Sequence, residues 1–183
     1  MSAPLSEQGR SVLLGIARRA IECHLEGVAF EPSVREPELL QALGAFVTLK
    51  TADGELRGCI GHLSPEVPLA RTIARVAVAA ALEDPRFGAV TRDELDALRL
   101  EVSVLSSYEP IAPAAVEVGR HGLLIRCHGK SGLLLPQVAP EHGFDREAFL
   151  AAVCRKAGLP KDAWRAPDCE LLGFTAEVFG EDD

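Results

Sequence analysis

The chain has 183 residues, 48% hydrophobic and 25% charged, the balance of a globular protein with a sizeable core rather than of a disordered one. Its 19 Lys and Arg against 27 Asp and Glu give a formal net charge of -8, which makes nucleic acid an unlikely partner, because neutralising phosphates supplies most of that affinity. No apolar run approaches the roughly 20 residues that span a bilayer, and residues 1–10 are too polar for a secretory leader, so no membrane association and a cytoplasmic location are expected.

In chain order, residues 6–26 predict a first helix. Leu13, Ile16, Ala17, Ala20, Cys23 and His24 recur at three- and four-residue spacing, and Gly27 is a stop signal. Residues 31–44, with Pro32 and Pro37, read as a surface connection. A hairpin follows, with strands at 45–50 and 56–60 around the Asp53-Gly54 turn. Pro68 begins an amphipathic helix that must end before Asp84-Pro85, because a residue preceding proline disfavours the helical region.

Thr91 and Glu94 fit a capping box for a short helix through Leu98, and 99–106 alternates as a strand. A strand at 122–127, a turn at 129–132 and a return at 133–135 come next. Asp145 caps a helix that stops at Gly158-Leu159-Pro160, and 170–179 reads as one last strand. Hairpins and helices without regular βαβ alternation predict an α+β fold with a mostly antiparallel sheet and flanking helices. The length fits a single domain, 1–183, with room for two lobes sharing one core.

Chemistry concentrates in Leu56-Arg57-Gly58-Cys59-Ile60-Gly61-His62. On a strand, Arg57, Cys59 and Gly61 share one face. Gly58 and Gly61 leave the backbone beside the sulfur open to a ligand, and Arg57 favours its thiolate, so Cys59 is the candidate nucleophile with Arg57, Gly58 and Gly61 as candidate ligand-binding residues. Taken alone, a cysteine in a hairpin is more often a small buried hydrophobe. His121, in the junction Gly119-Arg120-His121-Gly122, is the candidate base, and Glu101, on the polar face of its strand, the candidate acid that orients it. Locally, a turn histidine and a solvated strand carboxylate explain these two as well.

Five scattered cysteines (Cys23, Cys59, Cys127, Cys154 and Cys169) without a CxxC pair are expected to be free thiols in a reducing compartment. Cys59 and His62 are three apart, Cys127 and His128 are adjacent and His142 is isolated, so no metal-ligand spacing is complete and no dedicated metal site is expected. Gly129-Lys130-Ser131 enters no helix and lacks the first glycine of a phosphate loop, and Gly58-x-x-Gly61 lacks the setting of a KH clamp.

Leu56 to Gly61, Asp84-Pro85-Arg86-Phe87, Glu101 to Ser106, Val118 to Leu123, Gly132 to Ala139 and Phe149 to Pro160 together resemble the AMMECR domain family, in its order, over roughly residues 44–180. Phe144 stands where that family commonly has Trp. The resemblance implies an α+β fold with a larger and a smaller lobe and a cleft that Cys59, Glu101 and His121 would line. It also implies the company of a MEMO-type protein and a radical SAM enzyme, which is a context rather than a particular reaction. Two readings follow: a protein using Cys59 as nucleophile or covalent carrier, or a non-catalytic binding module for those partners.

Overall fold

The computed structural model describes residues 4–63 and 66–182, so the first three residues of the polar start lie outside the described residues. In chain order the elements are helix α1 (Glu7–Leu25), strands β1 (Ala45–Lys50) and β2 (Leu56–His62), helices α2 (Leu69–Leu82) and α3 (Arg92–Leu95), and strand β3 (Arg99–Leu105). They continue as β4 (Glu109–Pro110), β5 (Gly122–Cys127), β6 (Lys130–Leu134), α4 (Val138–Glu141), α5 (Arg146–Lys156), β7 (Glu170–Phe174) and β8 (Ala176–Gly180). The fold is α+β with two antiparallel sheets, and the described residues form two compact units, 4–105 with 177–182, and 106–176.

The first unit carries the sheet β2-β1-β3-β8, in which β2 is an edge strand. Alternation along β1 and β3 turns Ala45, Val47, Leu49, Leu100, Val102 and Val104 to a core that Leu13, Ala17 and Ile21 of α1 and Leu69, Ile73 and Ala77 of α2 complete. Local chemistry sets the helix ends. The Ser6 hydroxyl accepts the Gly9 N–H at 3.0 Å, and Gly27 at φ 69 lets the Val28 N–H close back on the Cys23 carbonyl. The capping box of Thr91 and Glu94 forms, although its helix spans only four residues.

Arg18 of α1 ties these layers together. Its Nε and Nη2 both lie 2.6 Å from the Glu181 carboxylate, while Nη1 and Nη2 donate to the Leu95 and Leu98 carbonyls. Burial pushes the Glu181 carboxyl up, but the Arg18 hydrogen bonds and the Leu100 N–H outweigh it and hold the group below its ordinary value.

In the second unit the order is β4-β7-β5-β6, over a cluster built on Leu123, Ile125, Phe149, Val153 and Leu171. Asp145 caps α5 by accepting the Ala148 N–H at 2.8 Å.

Two sequence expectations change here. The segment read as one strand over 170–179 breaks at Thr175, whose carbonyl accepts the Ser106 N–H and whose own N–H donates to the Ser106 hydroxyl, so β7 and β8 join different sheets. The turn placed at 129–132 is a two-residue loop, His128-Gly129, and β6 starts already at Lys130. Both residues have positive φ (49 and 75), the geometry that matches hairpin twist.

At Gly58 helix α2 comes so close to β2 that a Cβ there would lie 2.2 Å from the Ala80 carbonyl oxygen. Gly58→Ala is therefore expected to destabilise the protein by about 1–3 kcal/mol or more, since backbone has to move. Gly15, exposed in α1 with open space around it, gives the opposite sign, and Gly15→Ala should stabilise by about 0.5–1 kcal/mol. Denaturant midpoints of the two variants check both signs.

Candidate functional site

Strand register assembles a polar row on the face of the first sheet away from its core. Thr48 pairs with Cys59 on one side and with Glu101 on the other, so Cys59, Thr48 and Glu101 lie abreast across β2, β1 and β3. The Thr48 hydroxyl lies 3.1 Å from the Cys59 sulfur and donates to it. Lys50 Nζ lies 2.7 Å from the Glu101 carboxylate. The sheet thus brings together two of the three residues expected to act, with a hydroxyl between them. Cys59 is half-buried, whereas the other free thiols, Cys23 and Cys154, are buried.

A carboxylate holds the cysteine from the open edge of β2. Asp84, just past α2 and 4% exposed, accepts the Cys59 N–H at 2.9 Å, the Arg86 N–H at 3.1 Å, and Arg86 Nε and Nη2 at 2.9 and 2.7 Å. Arg86 Nη2 also donates to the Cys59 carbonyl. The Arg86 guanidinium, with the Cys59 and Arg86 amides, holds the Asp84 carboxyl far below the usual carboxylate range. Phe87, partly buried outside the core cluster, lies between two cations, with Arg57 and Arg86 at 5.9 and 5.5 Å from its ring centre.

Several roles expected from the sequence change hands. Arg57 does not serve the Cys59 sulfur: its Nε and Nη2 form a two-pronged pair with Glu94 at 2.5 and 3.1 Å, which neutralises its charge there. The space beside the two glycines is not free for a ligand on their side-chain sides. The Ala80 carbonyl occupies it at Gly58, and at Gly61 a Cβ would meet the Phe46 ring at 2.2 Å.

His121 belongs to the second unit, where its Nδ1 accepts the Glu117 N–H at 3.0 Å. That bond, not a carboxylate, orients the ring, and an accepting Nδ1 makes Nε2 the nitrogen that carries the hydrogen in the neutral ring. Glu101 has Lys50 as its partner. Nor are all five cysteines free, because Cys127 and Cys169 form a disulfide. Sequence spacing gave no sign of it, since the pair is 42 residues apart and meets only through the register of β5 on β7.

The first unit also holds a groove of about 740 Å³ that sequence reasoning missed. Phe30, Ile60, Gly61, Arg71, Thr72 and Arg75 are among the residues lining it, and Cys59 and Glu101 are not. Thr72 is 2% exposed and its hydroxyl has no hydrogen-bond partner among the described residues. Because the Cys59 amide points out of the sheet to Asp84, the main-chain groups of Gly61, two residues on, point to the same open edge. Among the described residues, no helix is long and apolar enough to cross a membrane.

Residues 14–179 match the AMMECR1 family. A protein of Thermococcus gammatolerans is 44% identical over 190 residues, covering 97% of this chain and 93% of its own length. Another from Methanothermobacter thermautotrophicus is 43% identical, with 98% of both chains covered. The crystal structure of the uncharacterized Pyrococcus horikoshii protein PH0010, 44% identical, superposes with a TM-score of 0.76 over 93% of this chain and 90% of that one.

The Asp84 clamp carries a pH signature. Its folded-state pKa is depressed, so its contribution to stability is fully present above the unfolded value of about 3.9 and fades as the pH falls towards the folded value. The stability gap between wild type and Asp84→Asn should stay constant from about pH 7 to 5 and shrink below about pH 4, read from denaturant midpoints across pH. Iodoacetamide, followed site by site by mass spectrometry, should modify Cys59 well before the buried Cys23 and Cys154, of which burial also pushes the Cys154 thiol up, and should reach Cys127 and Cys169 only after reduction.

Proposed function

The chain belongs to the AMMECR1 family, and on that premise we propose that it acts with a MEMO-type protein and a radical SAM enzyme, using Cys59 as a nucleophile or covalent carrier. The observation that carries this reading is the held cysteine. The Cys59 backbone is fixed by Asp84 and Arg86, its sulfur faces the Thr48 hydroxyl, and the sulfur is not sealed in the core. A thiol that only filled space would need none of these polar contacts. Preorganisation of this kind keeps a reacting atom within reach of a substrate without further ordering cost. Glu101, held by Lys50 in the same row, supplies a fixed charge pair next to Thr48. The family resemblance, rather than geometry, supports the two partners.

A second reading, a binding module for the same partners, is favoured by the groove between α1, α2 and β2. Its buried, unpartnered Thr72 hydroxyl and the outward main chain of Gly61 suit an extended segment of a partner that adds to the edge strand.

One strain comparison separates the two readings. If Cys59 is the reacting group, a Cys59→Ser strain reproduces the phenotype of deleting the gene, while the purified variant keeps its melting temperature and an Arg75→Glu strain behaves as wild type. Wild-type behaviour of Cys59→Ser alongside loss in Arg75→Glu would replace the nucleophile by the binding module.

A further inference from the structure

We propose that Cys127, His128 and Cys169 form a redox-gated site for a soft divalent cation such as Zn2+, closed while the Cys127–Cys169 disulfide stands and formed when it is reduced. The site is built by two independent parts of the second unit's sheet. Arg126 of β5 pairs with Glu170 of β7, so one step further Cys127 stands opposite Cys169, with Cα atoms 4.5 Å apart. Beyond Cys127 the β5–β6 hairpin turns through His128 and Gly129, which swings the imidazole back over the same end of the sheet. The ligand atoms of Cys127, His128 and Cys169 all lie within 4.8 Å of one another.

Features beyond the two sulfurs set this apart from a purely structural disulfide. His128 has φ 49 and is the one non-glycine residue with positive φ among the described residues. Positive φ suits this two-residue hairpin turn and histidine is among the residues that adopt it, so the turn carries the imidazole beside the two sulfurs. The neighbour of Cys169, Asp168, places its Oδ2 2.9 Å from His128 Nε2. A carboxylate behind the distal nitrogen fixes the ring and leaves Nδ1 for a metal, the arrangement of carboxylate–histidine–zinc sites. Two thiolates and an imidazole are a borderline-soft donor set that suits tetrahedral Zn2+, with the fourth position left to water. Cys127 is 5% exposed, whereas Cys169 and His128 are reachable from solvent.

The chemistry balances with a dithiol or phosphine as the reductant. Two electrons and two protons convert the disulfide to two thiols, while a dithiol becomes its own disulfide or a phosphine, with water, its oxide. Binding M2+ then displaces the two thiol protons and forms two metal–sulfur bonds. Reoxidation by dioxygen, which takes up the two electrons with two protons as hydrogen peroxide, expels the cation, because the sulfurs that held it become bonded to each other.

Cobalt(II) titration of the full chain tests this. Protein reduced with a phosphine under nitrogen should bind one Co2+ per chain, with a thiolate-to-cobalt charge-transfer absorption that Zn2+ abolishes and that air-oxidised protein never shows. Cys59→Ser should keep the absorption, and Cys127→Ser and Cys169→Ser should lose it. His128→Asn, which suits the turn and so preserves the hairpin, should weaken cobalt binding about tenfold or more. Absence of the absorption in reduced wild type, its loss in Cys59→Ser, or unchanged binding in His128→Asn or either Cys127→Ser or Cys169→Ser would overturn the proposal.

Discussion

The Asp84 carboxylate is the constraint on which the candidate site depends. It lies where α2 must stop, since Pro85 follows it, and it is buried with both oxygens engaged. A buried carboxylate is tolerated only when hydrogen-bonded and paired, and Asp84 meets both conditions through Cys59 and Arg86. In doing so it closes part of an exposed strand edge, which would otherwise offer unpaired main-chain groups to any passing strand. The same contacts fix the backbone of Cys59. One side chain thus protects an edge and positions a thiol.

Around that clamp, charges are used in pairs rather than aimed at the sulfur. Arg57 goes to Glu94, Lys50 to Glu101, and Arg86 to Asp84. The neighbour with a polar atom on Cys59 Sγ is Thr48, a neutral hydroxyl. The two glycines flanking the cysteine serve packing: Gly58 lets α2 approach the sheet and Gly61 accommodates the Phe46 ring. Their conformational freedom is not what the fold uses there, because neither has positive φ.

The second unit answers a different problem with different means. Its sheet is held by a core centred on Phe149 and by the Cys127–Cys169 bond, whose closed loop of about 42 residues restricts the unfolded chain by about 4 kcal/mol in the loop-entropy account. His121 sits at the entry to β5, braced by its own turn.

The sequence by itself determined most of the elements, because their signals are local. The stripe Leu13-Ile16-Ala17-Ala20, the Thr91 and Asp145 caps, the Asp84-Pro85 stop and the alternation of β1 and β3 all act within a few residues. Motif order likewise made the family legible. It also singled out Cys59, though not its surroundings. Partners at long range were decided by tertiary structure: Asp84 on Cys59 across 25 residues, Glu94 on Arg57 across 37, Cys169 on Cys127 across 42. The break at Thr175 belongs with these, because alternation continues through it and Ser106, 69 residues away, is what redirects the chain. Register and packing place such residues together, and neither is written in the spacing of the residues themselves.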